Sequence, residues 1–277
     1  RSDAPAYKAP VFRFVQHLAD GEENMTPGSY FIAYVGAVKG EIEDIIIEGL
    51  EGISCVLRLE GGNLYLDINA QRMPATIYWT GSDAESTLWD LSATQNFVNQ
   101  GQADYFVTGD TVVFDSTATN FTVSLAQELM PAAVVVAGDK AYKISGEAIV
   151  GEASLTKRGS GMLTLSNVNK YTGKTILEGG NTLVSSLANK ITPNGALGAY
   201  SNAAGHIEIR NGAVMSTTSA VTNGTPIRLG EGGGVISNTK DFIMEGAFSG
   251  STLTKRGGGW LKTQASGSGL GRLVITA

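Results

Sequence analysis

The sequence predicts an all-β chain whose C-terminal half is a solenoid of stacked coils. Three observations predict it. Apolar residues alternate over short runs of three to six residues, as half-buried strands require. Glycine is unusually abundant at 36 of 277 residues against only seven prolines, which supplies many tight turns without a collagen period. Finally, "LTKRGSGMLTLSNVNKYTG" at residues 155–173 returns in abbreviated form as "LTKRGGGWLKTQASGSGLG" at residues 253–271, 98 residues later. A repeated strand, charged pair and glycine turn implies a fold built by stacking.

The strands follow in order along the chain. In "GNLYLDINA", Leu64, Leu66 and Ile68 take one side, while Asn63, Tyr65, Asp67 and Asn69 take the other. Further strands are expected at residues 111–114, 121–125, 132–136, 142–144, 162–165, 175–177, 207–209, 226–229, 235–237, 242–244 and 273–275. Asn-Gly, Gly-Asp, Gly-Gly and Ser-Gly pairs separate them. Two segments fit helices: "VFRFVQHL", with Val11, Phe14, Val15 and Leu18 on one face, which also suits a strand, and "SATQNFVNQ", where Ser92 and Gln95 are spaced as a capping box. Spacing argues against a simple meander, since Ile207 to Ile227 is 20 residues and Ile227 to Phe242 is 15, each interval holding a strand, a corner and a second short strand. Such intervals suit rungs of a solenoid, and a lone rung buries too little to offset the entropy of ordering it. At about 20 residues per coil, the two LTKRG copies are expected about five coils apart.

Within each rung, Leu155, Leu163, Leu165, Ile176 and Leu183 are expected to point inward. Thr156, Thr164 and Thr175 are expected on the outer face. Lys157–Arg158 and Lys255–Arg256 stand beside glycines and read as solvated charged corners, while Asn169 and Tyr171 suit side-chain closure of a turn.

Composition excludes several classes. With 20 basic and 26 acidic residues and no basic stripe interleaved with aromatics, nucleic acid is not an expected partner. No apolar run reaches the length of a membrane span. Cys55 is the single cysteine, which rules out an internal disulfide, and its apolar setting reads as a small buried hydrophobe. His17 and His206 accompany neither the cysteine nor a carboxylate cluster, so no metal or cofactor is expected; His206 reads as an exposed strand-entry residue. Asp104, Asp110 and Asp115 gather in "ADYFVTGDTVVFD" but lack calcium-loop spacing. "GEGGG" lacks the lysine of a phosphate loop, and "RGSGM" feeds a strand where a nucleophile elbow needs a helix. No catalytic residue is assigned. Trp79 and Trp89 flank a turn-rich stretch and are the candidate ligand-binding residues, able to stack on a pyranose, against an alternative in which they pack across the solenoid's cap.

"SLTKRGSGMLTLSNVNKYTGKTILEGGNTLV", residues 154–184, resembles the autotransporter-associated β-strand repeat, with agreement at Leu155, Thr156, Lys157, Gly159, Gly161, Leu163, Thr164, Leu165, Asn169, Tyr171, Thr172, Gly173, Thr175, Ile176, Gly179, Gly180 and Leu183. Residues 76–150, with YWTG, W-D and GDTVVFD, resemble the segment that leads into such repeats, and residues 1–75 resemble the close of a preceding module. The expected division is therefore 1–75, 76–150 and 151–277. The resemblance implies a right-handed parallel β-helix for the C-terminal half, preceded by a β-rich N-terminal and lead-in region of the same repeat type, and a structural scaffold or stalk in a large secreted or surface-anchored bacterial protein, with the rest of a parent polypeptide as its first partner. A glycan- or host-binding module, with a polysaccharide or host surface as partner, and a polysaccharide-degrading β-helix enzyme are the alternatives. The chain opens on Arg1-Ser2-Asp3, which suits a processed product or a piece of a longer chain. The second LTKRG copy loses NxYTG and suits a terminal coil.

Overall fold

The computed structural model describes residues 11–13, 28–35, 46–48, 55–68, 72–82, 87–265 and 269–276. Among them every regular element is a strand. The chain divides into two compact units, Arg1–Met73 and Pro74–Ala277. In the first, Val11–Arg13 pairs in parallel with Ile46–Glu48, and Asn63–Ile68 lies between Gly28–Tyr34 and Cys55–Glu60 in an antiparallel sheet. Leu64 and Leu66 are buried as their alternation requires. Residues 11–13 of the first helix candidate form a strand, and the remainder lies outside the described residues, as do His17 and the Cys55 side chain.

The second unit is a parallel β-solenoid of about eight turns over residues 111–275. Its first row of stacked strands runs Thr76–Trp79, Thr111–Phe114, Ala133–Val136, Ser154–Lys157, Thr175–Leu177, Ile207–Ile209 and Ile227–Leu229, and ends on the start of Phe248–Arg256. The second row runs Leu88–Trp89, Thr122–Leu125, Tyr142–Gly146, Leu163–Leu165, Asn181–Val184, Ala213–Thr217 and Gly234–Asn238, then the end of Phe248–Arg256 and Gly269–Ile275. A third row, Val221–Asn223, Phe242–Met244 and Leu261–Thr263, closes the triangle in the last coils. Ala133–Val136 and Ser154–Lys157 pair directly, so the stack passes residue 150 without a break.

Register turns the sequence alternation into columns. Val112, Val134, Leu155, Thr175, Ile207, Ile227 and Phe248 lie one above another and are all buried. Each buried aliphatic member contributes about 1.5–3 kcal/mol of transfer free energy. Identical strand spacing makes one coil's apolar face the floor of the next.

Two expectations fail here for physical reasons. Ile176 and Leu183 face outward, and Thr175 and Thr182 face inward. Both "TIL" and "NTLV" place apolar residues in both strand phases, so local alternation cannot select the face, whereas pairing of Leu155 with Thr175 does. The Thr175 hydroxyl is accommodated by Tyr171 Oη at 2.7 Å and the Leu197 carbonyl at 3.3 Å. The second helix candidate is also absent. Ser92 takes a positive φ of 57°, and Phe97–Asn99 is a strand that folds back antiparallel on Trp79.

Candidate functional site

The repeat segment is the most structured candidate, and its lysines are not solvated. Lys157 occupies an inward column position between Val136 and Leu177 and is 1% exposed. Its ammonium curls under the corner and donates to the carbonyls of Arg158 (3.1 Å), Gly159 (3.0 Å) and, one coil on, Gly179 (3.2 Å). Three donors meet three acceptors, which makes burial of the charge tolerable. Desolvation still lowers the group from 10.5 to about 8, although carbonyl acceptors favour the charged form. Lys255 repeats the arrangement, donating to Arg256 and Gly257 carbonyls, and its pKa is likewise lowered by burial. The charged-corner expectation therefore holds for exposed Arg158 and Arg256 and is corrected for both lysines. An ammonium in a carbonyl cage has no one-dimensional signature, because its acceptors are backbone.

The motif glycines complete this corner. Gly159 has φ +79°, and a Cβ on it would lie 2.3 Å from the Gly138 carbonyl of the coil below. A Cβ on Gly161 would lie 2.1 Å from the Lys140 carbonyl, and one on Gly259 at the same distance from that of Lys240.

Asn169 and Tyr171 close their own turn, through Asn167 and Thr175 respectively, and also reach the neighbouring coils. Asn169 Oδ1 accepts from the Ile149 amide (2.9 Å) and from Asn167 Nδ2 (2.8 Å), while its Nδ2 donates to the Ala196 carbonyl (2.8 Å). Tyr171 is buried, its carbonyl accepts from the Ala199 amide, and burial pushes its phenol pKa up. Together they seat residues 185–206, an enlarged loop in the following coil that contains the short hairpin Asn194–Gly195 and Gly198–Ala199. The second LTKRG copy, without NxYTG, lacks these seats.

His206 corrects another expectation. It is 6% exposed, its Nε2 has no hydrogen-bond partner, and its pKa is lowered by burial first and by Lys174 second. Its backbone carbonyl accepts from the Thr175 amide at 2.9 Å, which places the ring at the base of the enlarged loop.

Trp79 and Trp89 are both fully buried. Trp79 stacks edge-on to Phe97 at 5.2 Å and donates from Nε1 to the Asn120 carbonyl at 2.8 Å. Trp89 packs on Phe106 at 5.4 Å and Phe114 at 5.6 Å. In this arrangement neither ring presents a face to solvent for a sugar. The adjoining acids serve backbone turns. Asp110 accepts from the Ala75 and Val107 amides, Asp90 from Thr94, and Asp115 from Thr117. The lead-in motifs thus fix the first coil.

The described surface also carries concavities. A groove of about 500 Å³ runs over three coils past Gly109, Met130, Pro131, Gly151 and Glu152. A smaller one, of about 310 Å³, is lined by an ion-pair ladder in which Arg210 bridges Glu178 and Glu208 and Arg228 pairs with Glu208 at 2.8 Å. Among the described residues, no group of three or more His, Cys, Asp or Glu is placed to hold a metal ion, and no helix is long and apolar enough to cross a membrane.

These features define a class: a parallel β-solenoid stitched from coil to coil by buried polar side chains. Residues 155–184 match the family model described as Passenger-associated-transport-repeat, the autotransporter-associated repeat that the sequence resembled. The match covers the lysine corner, the Asn169–Tyr171 seat and the strands on either side. The repeat family points to a bacterial secreted or surface protein and to a larger parent polypeptide. No curated protein and no solved structure matches the chain.

Proposed function

We propose that the solenoid is a non-catalytic stalk in the passenger of a secreted or cell-surface bacterial protein, spacing or presenting other parts of its parent polypeptide. The observation that carries this reading is how the repeat spends its polar groups. Lys157 and Asn169 bond to backbone of their own and neighbouring coils, and Tyr171 and Thr175 bond to each other and, from Thr175, to the Leu197 carbonyl, which rigidifies a stack and leaves none of them for a substrate. At about 4.8 Å between stacked strands, about eight turns make a spacer about 40 Å long.

The test is display of a protease-sensitive reporter fused to the chain, with a secretion leader and an outer-membrane translocator supplied. Leu155→Asp places an unpaired charge in an inward column and is expected to abolish protease-accessible reporter. Removal of one whole coil, residues 133–153, preserves the columns and the Asn169–Tyr171 seat and is expected to retain it. Undiminished display with Leu155→Asp would refute the stalk reading.

A further inference from the structure

The enlarged loop lifts one apolar side chain into water. Ile191 at its tip is 90% exposed, more than any other large apolar residue among those described. The tip is nonetheless held. Asn189 Oδ1 accepts from the Ile191 amide (2.8 Å) and the Thr192 amide (2.9 Å), and the Asn189 amide donates to the Thr192 carbonyl (2.8 Å). Both stems are fastened as well, by the Tyr200 amide on the Pro193 carbonyl (2.7 Å) and by the Gly224 amide on the Ala188 carbonyl (2.8 Å). A pre-ordered tip loses little entropy on binding. Lys190, next to Ile191, is exposed and has no ion-pair partner among the described residues.

The groove of about 500 Å³ has the complementary chemistry. Met130, 47% exposed, runs across Gly151, where a Cβ would lie 2.7 Å from its Cγ, and Pro131, Ala132 and Ala153 continue the apolar lining. Glu152 is the one charged residue of that lining. It too is exposed and has no ion-pair partner among the described residues.

Tip and groove lie on the same side of the prism. Each falls between a second-row strand and the next first-row strand, the groove at residues 130–132 and 151–153 and the loop between Asn181–Val184 and Ile207–Ile209. The middle of the groove is three coils below the loop, about 14 Å at about 4.8 Å per coil. Through Gly224 the tip is fastened to the coil above, so it leans away from its own groove. A two-fold axis midway between the two features, perpendicular to the stack, sets each copy's tip opposite the other copy's groove, the self-complementary arrangement of an isologous dimer.

We propose that the chain forms a two-fold dimer with antiparallel solenoid axes, in which the Lys190–Ile191 tip of each copy seats in the groove of the other, Ile191 against Met130 and Pro131 and Lys190 on Glu152. Methionine adapts to an incoming side chain, and the opposite charges set the register. Two contacts of this size fall at the small end of specific interfaces, so the dimer forms in the micromolar range.

The experiment follows the whole chain by sedimentation equilibrium over that range. A reversible monomer–dimer equilibrium with no larger species is expected. Ile191→Asp is expected to weaken it at least tenfold with an unchanged urea midpoint. Lys190→Glu and Glu152→Lys each place like charges in both contacts and are each expected to weaken association at least tenfold. An equimolar mixture of these two variants pairs opposite charges again in both contacts, and is expected to form a heterodimer within threefold of wild-type affinity. A wild type that stays monomeric, an open series of larger oligomers, full association by Ile191→Asp, or a mixture of the charge variants that does not recover would each overturn the proposal.

Discussion

Replacing Lys157 with methionine isolates the ammonium, because methionine keeps an unbranched stem in the column between Val136 and Leu177. Two effects oppose. Three carbonyl oxygens lose a charged donor, and orphaning each costs about 1–3 kcal/mol when buried. Arg158 and Gly159 are exposed residues whose carbonyls regain some bonding from water, which brings the sum to about 5 kcal/mol. In the other direction, the fold no longer carries a desolvated cation. Lowering its pKa from 10.5 to about 8 is equivalent to about 3 kcal/mol. Loss of the cage wins, by about 2 kcal/mol at pH 7.

The pH dependence provides an independent check. Between about pH 8 and 10.5 the unfolded chain binds more protons at this lysine than the native one does, so wild-type stability rises with pH across that window. The methionine variant has no such rise, and the gap between the proteins widens as pH increases. Tyr142 and Tyr171, whose pKa values are raised by burial, act oppositely once unfolded tyrosine ionises near 10, so the useful range is pH 7.5–9.5. Urea unfolding followed by emission of the buried Trp79 and Trp89 reads both quantities, provided the m-values agree. A variant as stable as wild type, with a gap that does not change with pH, would refute the argument that carbonyls hold the charge.

Further outcomes follow from the same contacts. Gly161→Ala puts a methyl 2.1 Å from the Lys140 carbonyl and is expected to cost about 3 kcal/mol in urea unfolding. Asn169→Ala strands the Ile149 amide and the Ala196 carbonyl, a loss of about 2–4 kcal/mol, and hydrogen exchange should accelerate first at Ile149. His206 has a folded pKa below its unfolded value of 6.5, so the unfolded chain binds the extra proton and stability falls as pH drops below about 6.5. His206→Leu should flatten that acid loss in thermal unfolding scans between pH 7 and 5.

The sequence carried the stack itself, because parallel coils demand strands at about 20-residue intervals and corners that glycine turns most readily. The strands at Thr111–Phe114, Thr175–Leu177, Ile207–Ile209 and Phe242–Met244 have the expected bounds, most others differ by a residue or two, and the last begins four residues earlier, at Gly269. Face assignment was less legible wherever both strand phases are apolar, as at Ile176 and Leu183. Inward lysines were illegible for a different reason, since charge and turn proximity both argue for exposure and only the neighbouring coil's carbonyls reverse that. His206 was misplaced because a polar residue at a strand entry carries no local signal for the burial that stacking gives it.

The two LTKRG stretches occupy different walls of the prism. Leu155 lies in the first row and Leu253 in the second, so the same residues turn two different edges. What the motif encodes is a hinge between adjacent walls, interchangeable among the corners of a triangle. Counting its occurrences in a longer chain would therefore miscount the rungs, and a graft of these residues should be aligned by edge and not by the distance separating the copies.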